Sequence, residues 1–254
     1  MEVKNKKIGV IGMARSGIAA ANFLFERGAD VSICDQKSRA ELLDQVRQLH
    51  PGIQTVFETT APAPDSTLVA LSPGVDINSP ALASAKERGV EIISELELAF
   101  RFNDAPVIAV TGTNGKSATT TLIGEILQNA GMDIAVGGNI GTPFISLVHG
   151  NEKKWMVLEV SSFQLEAIDT FRPRIALILN ISPDHLDRHK TLDRYIALKE
   201  NIAVNQTEHD FLILNHDDPI TRSLGDGKKA RKFYFSAQAK IQDGAFIENG
   251  SIRT

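Results

Sequence analysis

Short β-branched apolar runs alternate with stretches of helical spacing along nearly the whole chain, the pattern of a parallel α/β protein. In the first part, Lys7–Gly12, Val31–Asp35, Thr67–Leu71 and Val90–Ile93 read as strands. Ser16–Arg27, Ala40–His50 and Ser79–Arg88 read as helices, the first and last stopped by Gly28 and Gly89. Ser94–Phe102 reads as a connecting helix and Asn103–Pro106 as a loop, so a domain boundary is expected near residue 94, giving domains 1–93 and 94–254. In the second part, the run from Val107 to Thr111 predicts a buried strand, followed by a loop and a helix reaching Ala130. Asp133–Val136, Trp155–Val160, Arg174–Asn180 and Asp210–Leu214 predict further strands, Gly137–Gly141 a loop and Thr191–Val204 a helix. Ala245–Ile252 predicts a hairpin turning at Asn249-Gly250.

Composition narrows the class without choosing a function. The 254 residues suffice for two modest domains with real cores. The charge of −4 argues against a nonspecific nucleic-acid binder, and the single cysteine, Cys34, fits a reducing compartment. No apolar run is long enough for a membrane span, so a cytoplasmic protein with neither nucleic-acid nor membrane partner is expected.

The richest chemistry lies at Thr111-Gly112-Thr113-Asn114-Gly115-Lys116-Ser117, between a strand and a helix. Two glycines let the backbone wrap so that its N–H groups converge on phosphate oxygens, and the helix dipole adds to the attraction. Lys116 offers a cation to the outer phosphates and the Ser117 hydroxyl a ligand to magnesium. The standard phosphate loop has an earlier glycine where this chain has Val110, so the loop is a shortened variant. It reads as an ATP site.

The N-terminal βαβ unit carries a weaker signal. Gly12-Met13-Ala14-Arg15-Ser16-Gly17 has alanine where a dinucleotide fingerprint needs its second glycine, although Asp35 stands where a ribose-binding acid would. The glycines serve equally for tight helix packing. Ser72-Pro73-Gly74 falls at the C-terminal end of a strand, the ligand edge of an open parallel sheet, and is also a plain Pro-Gly turn.

Three further positions need weighing. Glu159 lies within an apolar strand run, immediately before Val160, where an acid is costly to bury unless paired or bound to a cation. Asn180–His189 gathers carboxylates and imidazoles after another strand; His185 alone reads as a loop or capping residue, and as a ligand only in company with the phosphate loop and Glu159. Lys199, on an apolar helix, reads by default as a solvated charge.

Thr111–Ser117, Gly138-Asn139-Ile140-Gly141, Leu158–Leu165 and Asn180–Asp187 together resemble the Mur ligases, ATP-dependent amide-forming enzymes of peptidoglycan synthesis. The Ser161-Ser162-Phe163-Gln164-Leu165 version, with Ser72–Gly74, is similar to the branch that adds D-glutamate. The resemblance implies an N-terminal Rossmann-like domain holding the UDP part of UDP-N-acetylmuramoyl-L-alanine near Ser16, Asp35, Ser72, Pro73 and Gly74, and a following P-loop ATP-binding α/β domain. It implies ATP at Thr113, Asn114, Gly115, Lys116, Ser117, Ala118 and Thr119, and magnesium (Mg2+) among Ser117, Glu159, His185 and a carbamylated Lys199. Asn139 and Ser161 would place the substrate, and Lys116, Asn139, His185 and Lys199 would carry catalysis through an acyl phosphate that the D-glutamate amine attacks. The resemblance implies a third, C-terminal domain beyond this length. The chain is expected to end before it and before the second domain is complete, and to turn over slowly or not at all, and the protein is expected to be monomeric. The rival readings are a ligase for another amino acid, a fragment that only binds nucleotide, and an NAD-dependent oxidoreductase.

Overall fold

The computed structural model describes residues 1–148 and 155–254, which divide into two compact units. The first comprises Met1–Asp104 with the described residues of Thr142–Asn151 and Glu166–Thr170; the second holds Ala105–Gly141, the described residues of Glu152–Leu165, and Phe171–Thr254.

In the first unit, β1 (Lys7–Ile11), α1 (Arg15–Glu26) and β2 (Asp30–Cys34) form the expected βαβ opening. Gly17, Ala20, Ala21 and Leu24 make the buried stripe of α1, and Gly28 adopts φ 80° just past its end. The helix expected over Ala40–His50 contracts to α2 (Leu43–Val46), no residue of which is buried. So short a segment gains too little from packing to offset helix nucleation. An unanticipated edge strand, β3 (Gln54–Val56), pairs with β2. β4 (Leu68–Leu71), α3 (Ala83–Glu87), β5 (Glu91–Ser94) and α4 (Glu95–Phe100) follow, the Ser94 hydroxyl capping α4 by accepting from the Glu97 N–H. The parallel sheet runs β3-β2-β1-β4-β5, so its order reverses between β1 and β4. Ile11, Cys34, Val69, Leu71 and Leu82 centre one core cluster.

The second unit opens with β6 (Val107–Thr111), fully buried, and α5 (Lys116–Asn129). β7 (Ile134–Gly138) takes in Gly137 and Gly138, which the sequence pattern assigns to a loop, because its pairing with β8 (Trp155–Glu159) continues to Gly138 opposite Glu159. Between them α6 (Phe144–Leu147) returns to the first unit, where the Ile145 N–H donates to the Glu95 carboxylate at 2.8 Å. β9 (Ile175–Ile178), the unanticipated turn of helix α7 (Leu186–His189), α8 (Leu192–Glu200), β10 (Phe211–Asn215) and a short α9 (Pro219–Ser223) complete the alternation. Thr191 caps α8, accepting from the Arg194 N–H. β11 (Arg231–Ser236), which the pattern misses, joins β10 in parallel. β12 (Gly244–Glu248) and β13 (Ser251–Arg253) form the expected hairpin, with Asn249 at φ 52° and Gly250 at φ 72° as a primed turn requires.

Among the described residues the second sheet runs β13-β12-β11-β10-β9-β6-β8-β7. β6 is central: the chain leaves it toward β7 and β8 on one side and crosses to β9 on the other. That reversal opens a crevice beyond the C-terminal ends of β6, β8 and β9, where open parallel sheets take ligands.

Candidate active site at the strand reversals

The phosphate loop leaves β6 at this crevice. Gly112 extends at φ 151° with a β-carbon position only 3.1 Å from Leu179 Cβ, and Gly115 is left-handed at φ 83°. The loop is pinned from β9: Asn180 Oδ1 accepts from the Asn114 N–H at 2.8 Å, Asn180 Nδ2 donates to the Asn114 carbonyl at 3.0 Å, and the Thr113 N–H donates to the Asn180 carbonyl at 2.9 Å. Gly115 precedes α5 with no side-chain cap, so the first-turn N–H groups of a fourteen-residue helix face the crevice mouth. Thr113, Asn114, Gly115, Lys116, Ser117, Ala118 and Thr119 thus form one continuous turn into the helix. Lys116 Nζ reaches back to the Gly112 and Thr113 carbonyls at 3.0 and 2.8 Å. An ammonium has three donors, so one remains for an anion.

Glu159, last residue of β8 and 2% exposed, sits beside the loop because Val110 is its partner in register. Its carboxylate accepts from the Ser117 hydroxyl at 2.6 Å and from Asn139 Nδ2 at 2.6 Å. Gly138 lets Asn139 approach: a β-carbon there would lie 2.4 Å from the Glu159 carbonyl.

A cleft of about 110 Å³ is lined by Lys116, Asn139, Ser161, Asp184, His185 and Lys199, together with Ser162, Phe163 and Tyr195. It is smaller than the roughly 300 Å³ or more that a whole organic ligand occupies, and suits a phosphoryl-sized group. Ser161 hydrogen-bonds Gln164 through both its N–H and its hydroxyl. His185 is half-exposed, 3.6 Å from the Asp184 carboxylate, with a left-handed backbone at φ 52° that starts α7. For a non-glycine residue that conformation costs about 1–2 kcal/mol.

Lys199 departs most from the default reading. It is 1% exposed, not a solvated charge. Nζ donates to the Gly112 carbonyl at 2.7 Å, the same oxygen that Lys116 uses, and lies 4.6 Å from the centre of the Tyr195 ring. Burial first, and then the Lys116 charge, lower its pKa from 10.5 to about 7, against the pull of Asp184 and Glu159. The crevice therefore holds an amine that is largely neutral in mildly alkaline solution.

Ser117 and Glu159 offer the hard oxygen donors that magnesium prefers. Among the described residues no cluster of three or more His, Cys, Asp and Glu forms. The donor set fits the group.

In the first unit the reversal between β1 and β4 brings Gly12 and Ser72 together. The Ser72 hydroxyl, buried, donates to the Gly12 carbonyl at 2.9 Å, and Gly17 packs so tightly that a β-carbon would fall 1.8 Å from that carbonyl. Asp35 accepts from the Met13 N–H at 2.8 Å and from the Lys37 N–H at 3.0 Å. Ser16 lies half-buried in the first turn of α1, and Pro73 and Gly74 (φ 92°) turn the chain after β4. The turn and the fingerprint therefore share one edge. Ser72 and Asp35 also hold that edge together.

The sequence pattern did not single out Asn180, Tyr195 or the Ser162–His189 pair. Asn180 was detectable, since an amide following a buried strand beside a phosphate loop has a neighbouring backbone to satisfy. Burial of Tyr195 and His189 had no such signal.

Residues 6–94 match the family model described as the Mur ligase MurD-like N-terminal domain, and residues 110–252 the Mur ligase middle domain. The chain is 46% identical over 256 residues to the UDP-N-acetylmuramoylalanine–D-glutamate ligase of Koribacter versatilis, covering 99% of this chain and 56% of the relative. It is 41% identical to the enzyme of the same description from Clostridioides difficile, covering 99% and 57%. The chain thus spans little more than half the length of these curated relatives. Among solved structures, UDP-N-acetylmuramate–alanine ligase from Thermotoga maritima aligns with a TM-score of 0.53 at 26% identity, over 92% of this chain and 53% of that one. A UDP-N-acetylmuramate:L-alanyl-γ-D-glutamyl-meso-diaminopimelate ligase from Neisseria meningitides aligns at 0.58 and 17% identity, over 91% and 78%, a likeness of fold.

Proposed function

Because the chain belongs to the Mur ligase family, we propose that it forms the nucleotide-handling portion of an ATP-dependent ligase joining D-glutamate to UDP-N-acetylmuramoyl-L-alanine. The observation that carries this reading is the bonded chain Ser117–Glu159–Asn139 beside Lys116, at the reversal point of the second sheet.

In this reading residues 94–254 bind ATP: the N–H groups of Thr113–Thr119 and the free Lys116 proton hold its phosphates. Magnesium would be held by Ser117 and Glu159, with His185 and a carbamylated Lys199 completing the set, and would neutralise charge on the transferring phosphoryl group. Residues 1–93 hold the uridine nucleotide at the Ser16, Asp35 and Ser72–Gly74 edge, and Asn139 and Ser161 guide the muramoyl-alanine end. The terminal alanine carboxylate attacks the γ-phosphorus and ADP leaves. The D-glutamate amine then attacks the carbonyl carbon of the resulting acyl phosphate, forming the amide as inorganic phosphate leaves and the amine gives up a proton. Lys116, Asn139, His185 and Lys199 act here by positioning and charge, which is what phosphoryl transfer asks of a protein. Among the described residues no helix is long and apolar enough to cross a membrane.

The test titrates the chain with magnesium-ATP and with UDP-N-acetylmuramoyl-L-alanine, and follows phosphate release by the full-length protein with D-glutamate, L-alanine or a diamino acid. Both ligands are expected to bind, ATP binding to fall at least tenfold in Lys116→Ala, and release to need D-glutamate. Release driven by another amino acid reassigns the substrate, and failure to bind ATP removes the reading.

A further inference from the structure

The cleft wall formed by α7 and α8 contains a buried set of polar and aromatic groups to which the reading above gives no role. His189, fully buried, shares a hydrogen bond with the Ser162 hydroxyl at 3.0 Å, and Ser162 is itself 2% exposed. The imidazole stacks on Phe163 at 4.9 Å between centroids with planes 24° apart, and lies 5.3 Å from Tyr195. Tyr195, 1% exposed, meets Thr113 of the phosphate loop, its hydroxyl 3.3 Å from Oγ1.

Valence fixes the direction of that last bond. Thr113 Oγ1 donates to the Ser182 carbonyl at 3.1 Å and accepts from the Ser182 N–H at 3.0 Å. A hydroxyl has one proton and two lone pairs, so the remaining lone pair can only accept. Tyr195 is therefore the donor. Its ring serves a second residue: Lys199 lies one helical turn on, at i+4 on the same face, which brings the ammonium 4.6 Å from the ring centre. One side chain thus touches both the loop that would hold phosphate and the buried lysine beside it.

We propose that Tyr195 is a positioning residue that fixes Thr113 and Lys199, and that the Ser162–His189 pair acts through it by holding its ring. The segment after β8 carries Ser162, α7 carries His189, α8 carries Tyr195, and the aromatic stack is the bridge between them. The phosphate loop is pinned on one side by Asn180, and Tyr195 with Ser182 pins Thr113. This inference rests on the phosphate-loop reading for its consequence in nucleotide binding, but not for the contact itself.

The experiment uses two readouts so that the two ideas separate. Amide hydrogen exchange of residues 112–117 is followed by mass spectrometry in the ligand-free protein, and magnesium-ATP affinity is measured by titration. Tyr195→Phe keeps the ring and removes only the donated bond. One net hydrogen bond is worth about three- to tenfold, so exchange of residues 112–117 is expected to accelerate by that factor. Exchange in Trp155–Glu159 should be unchanged, and ATP affinity should fall by a similar factor. Ser162→Ala is expected to move the same loop amides in the same direction, and His189→Phe, which retains the stack, less than His189→Ala. Since His189 is fully buried and its alanine variant could fail to fold, Tyr195→Phe decides. Unchanged loop exchange in Tyr195→Phe overturns the proposal whatever the titration gives. Accelerated exchange in a protein that binds no ATP upholds the positioning role and discards the nucleotide reading instead.

Discussion

Replacing Lys199 with methionine should stabilise the second unit at acid and neutral pH and destabilise it in strong alkali. A lysine buried to 1% exposure, with its pKa lowered from 10.5 to about 7, is charged at a cost in the folded protein. At about 1.4 kcal/mol per pH unit, the drop corresponds to about 5 kcal/mol of stability missing whenever the amine is protonated in both states. The folded protein binds fewer protons than the unfolded chain between pH 7 and 10.5, so stability rises with pH across that window. The penalty is nearly full at pH 6, about 2 kcal/mol at pH 9, and gone above pH 10.5. Methionine fills a similar volume without the charge but forfeits the bond to the Gly112 carbonyl, worth about 1 kcal/mol net for the neutral amine. The variant should then exceed the parent by about 4 kcal/mol at pH 6 and about 1 kcal/mol at pH 9, and fall slightly below it above pH 10.5. Urea unfolding of both proteins at pH 6, 7.5 and 9, in degassed metal-free buffer, measures this. A variant less stable than the parent at pH 6, or a difference independent of pH, would refute the reasoning. The burial cause of the lowered pKa would then be wrong.

Glu159→Gln retains an acceptor for Asn139 and a partner for the Ser117 hydroxyl, so its melting temperature should change little. Magnesium-dependent ATP affinity should fall by about 10- to 100-fold, the worth of a hydrogen-bonded or ion-paired charge, while metal-free nucleotide binding should be spared. Calorimetry with and without magnesium distinguishes the two. Glu97→Ala removes a fully buried carboxylate that accepts from the Thr170 N–H and hydroxyl, the Asp169 N–H and Arg101. Burial by itself would raise this carboxyl's pKa, but those donors together hold it below the usual range. Asp169 and Thr170 reach solvent and Arg101 keeps Glu91 at 2.7 Å, so the loss should be near the low end for a buried pair, about 3 kcal/mol. Thermal unfolding at pH 7 tests it, and a shift of less than about 2 °C would mean that water replaces the carboxylate fully.

Regular alternation of β-branched runs and helical spacing was enough to determine the fold class, most strand positions and the phosphate loop, because buried parallel strands and a glycine-bearing strand-to-helix turn are local features. The Asn249-Gly250 hairpin was legible for the same reason. Elements stabilised by neighbours were not: α2 shrank for lack of buried residues, and β3 and β11 exist through their pairing with β2 and β10. The site divides along the same line. Lys116 and Ser117 announce themselves by spacing, and Glu159 by the cost of an acid in an apolar run. Lys199 is a helix lysine like any other until α8 packs against the Gly112 carbonyl and burial takes its water away. Ser162, 27 residues before His189, meets it and Tyr195 only because the chain after β8 converges with α7 and α8 at the end of the sheet. Sequence periodicity fixes which face of an element is apolar. Which polar groups lose their solvent, and to which partners they must turn, is decided when those faces pack.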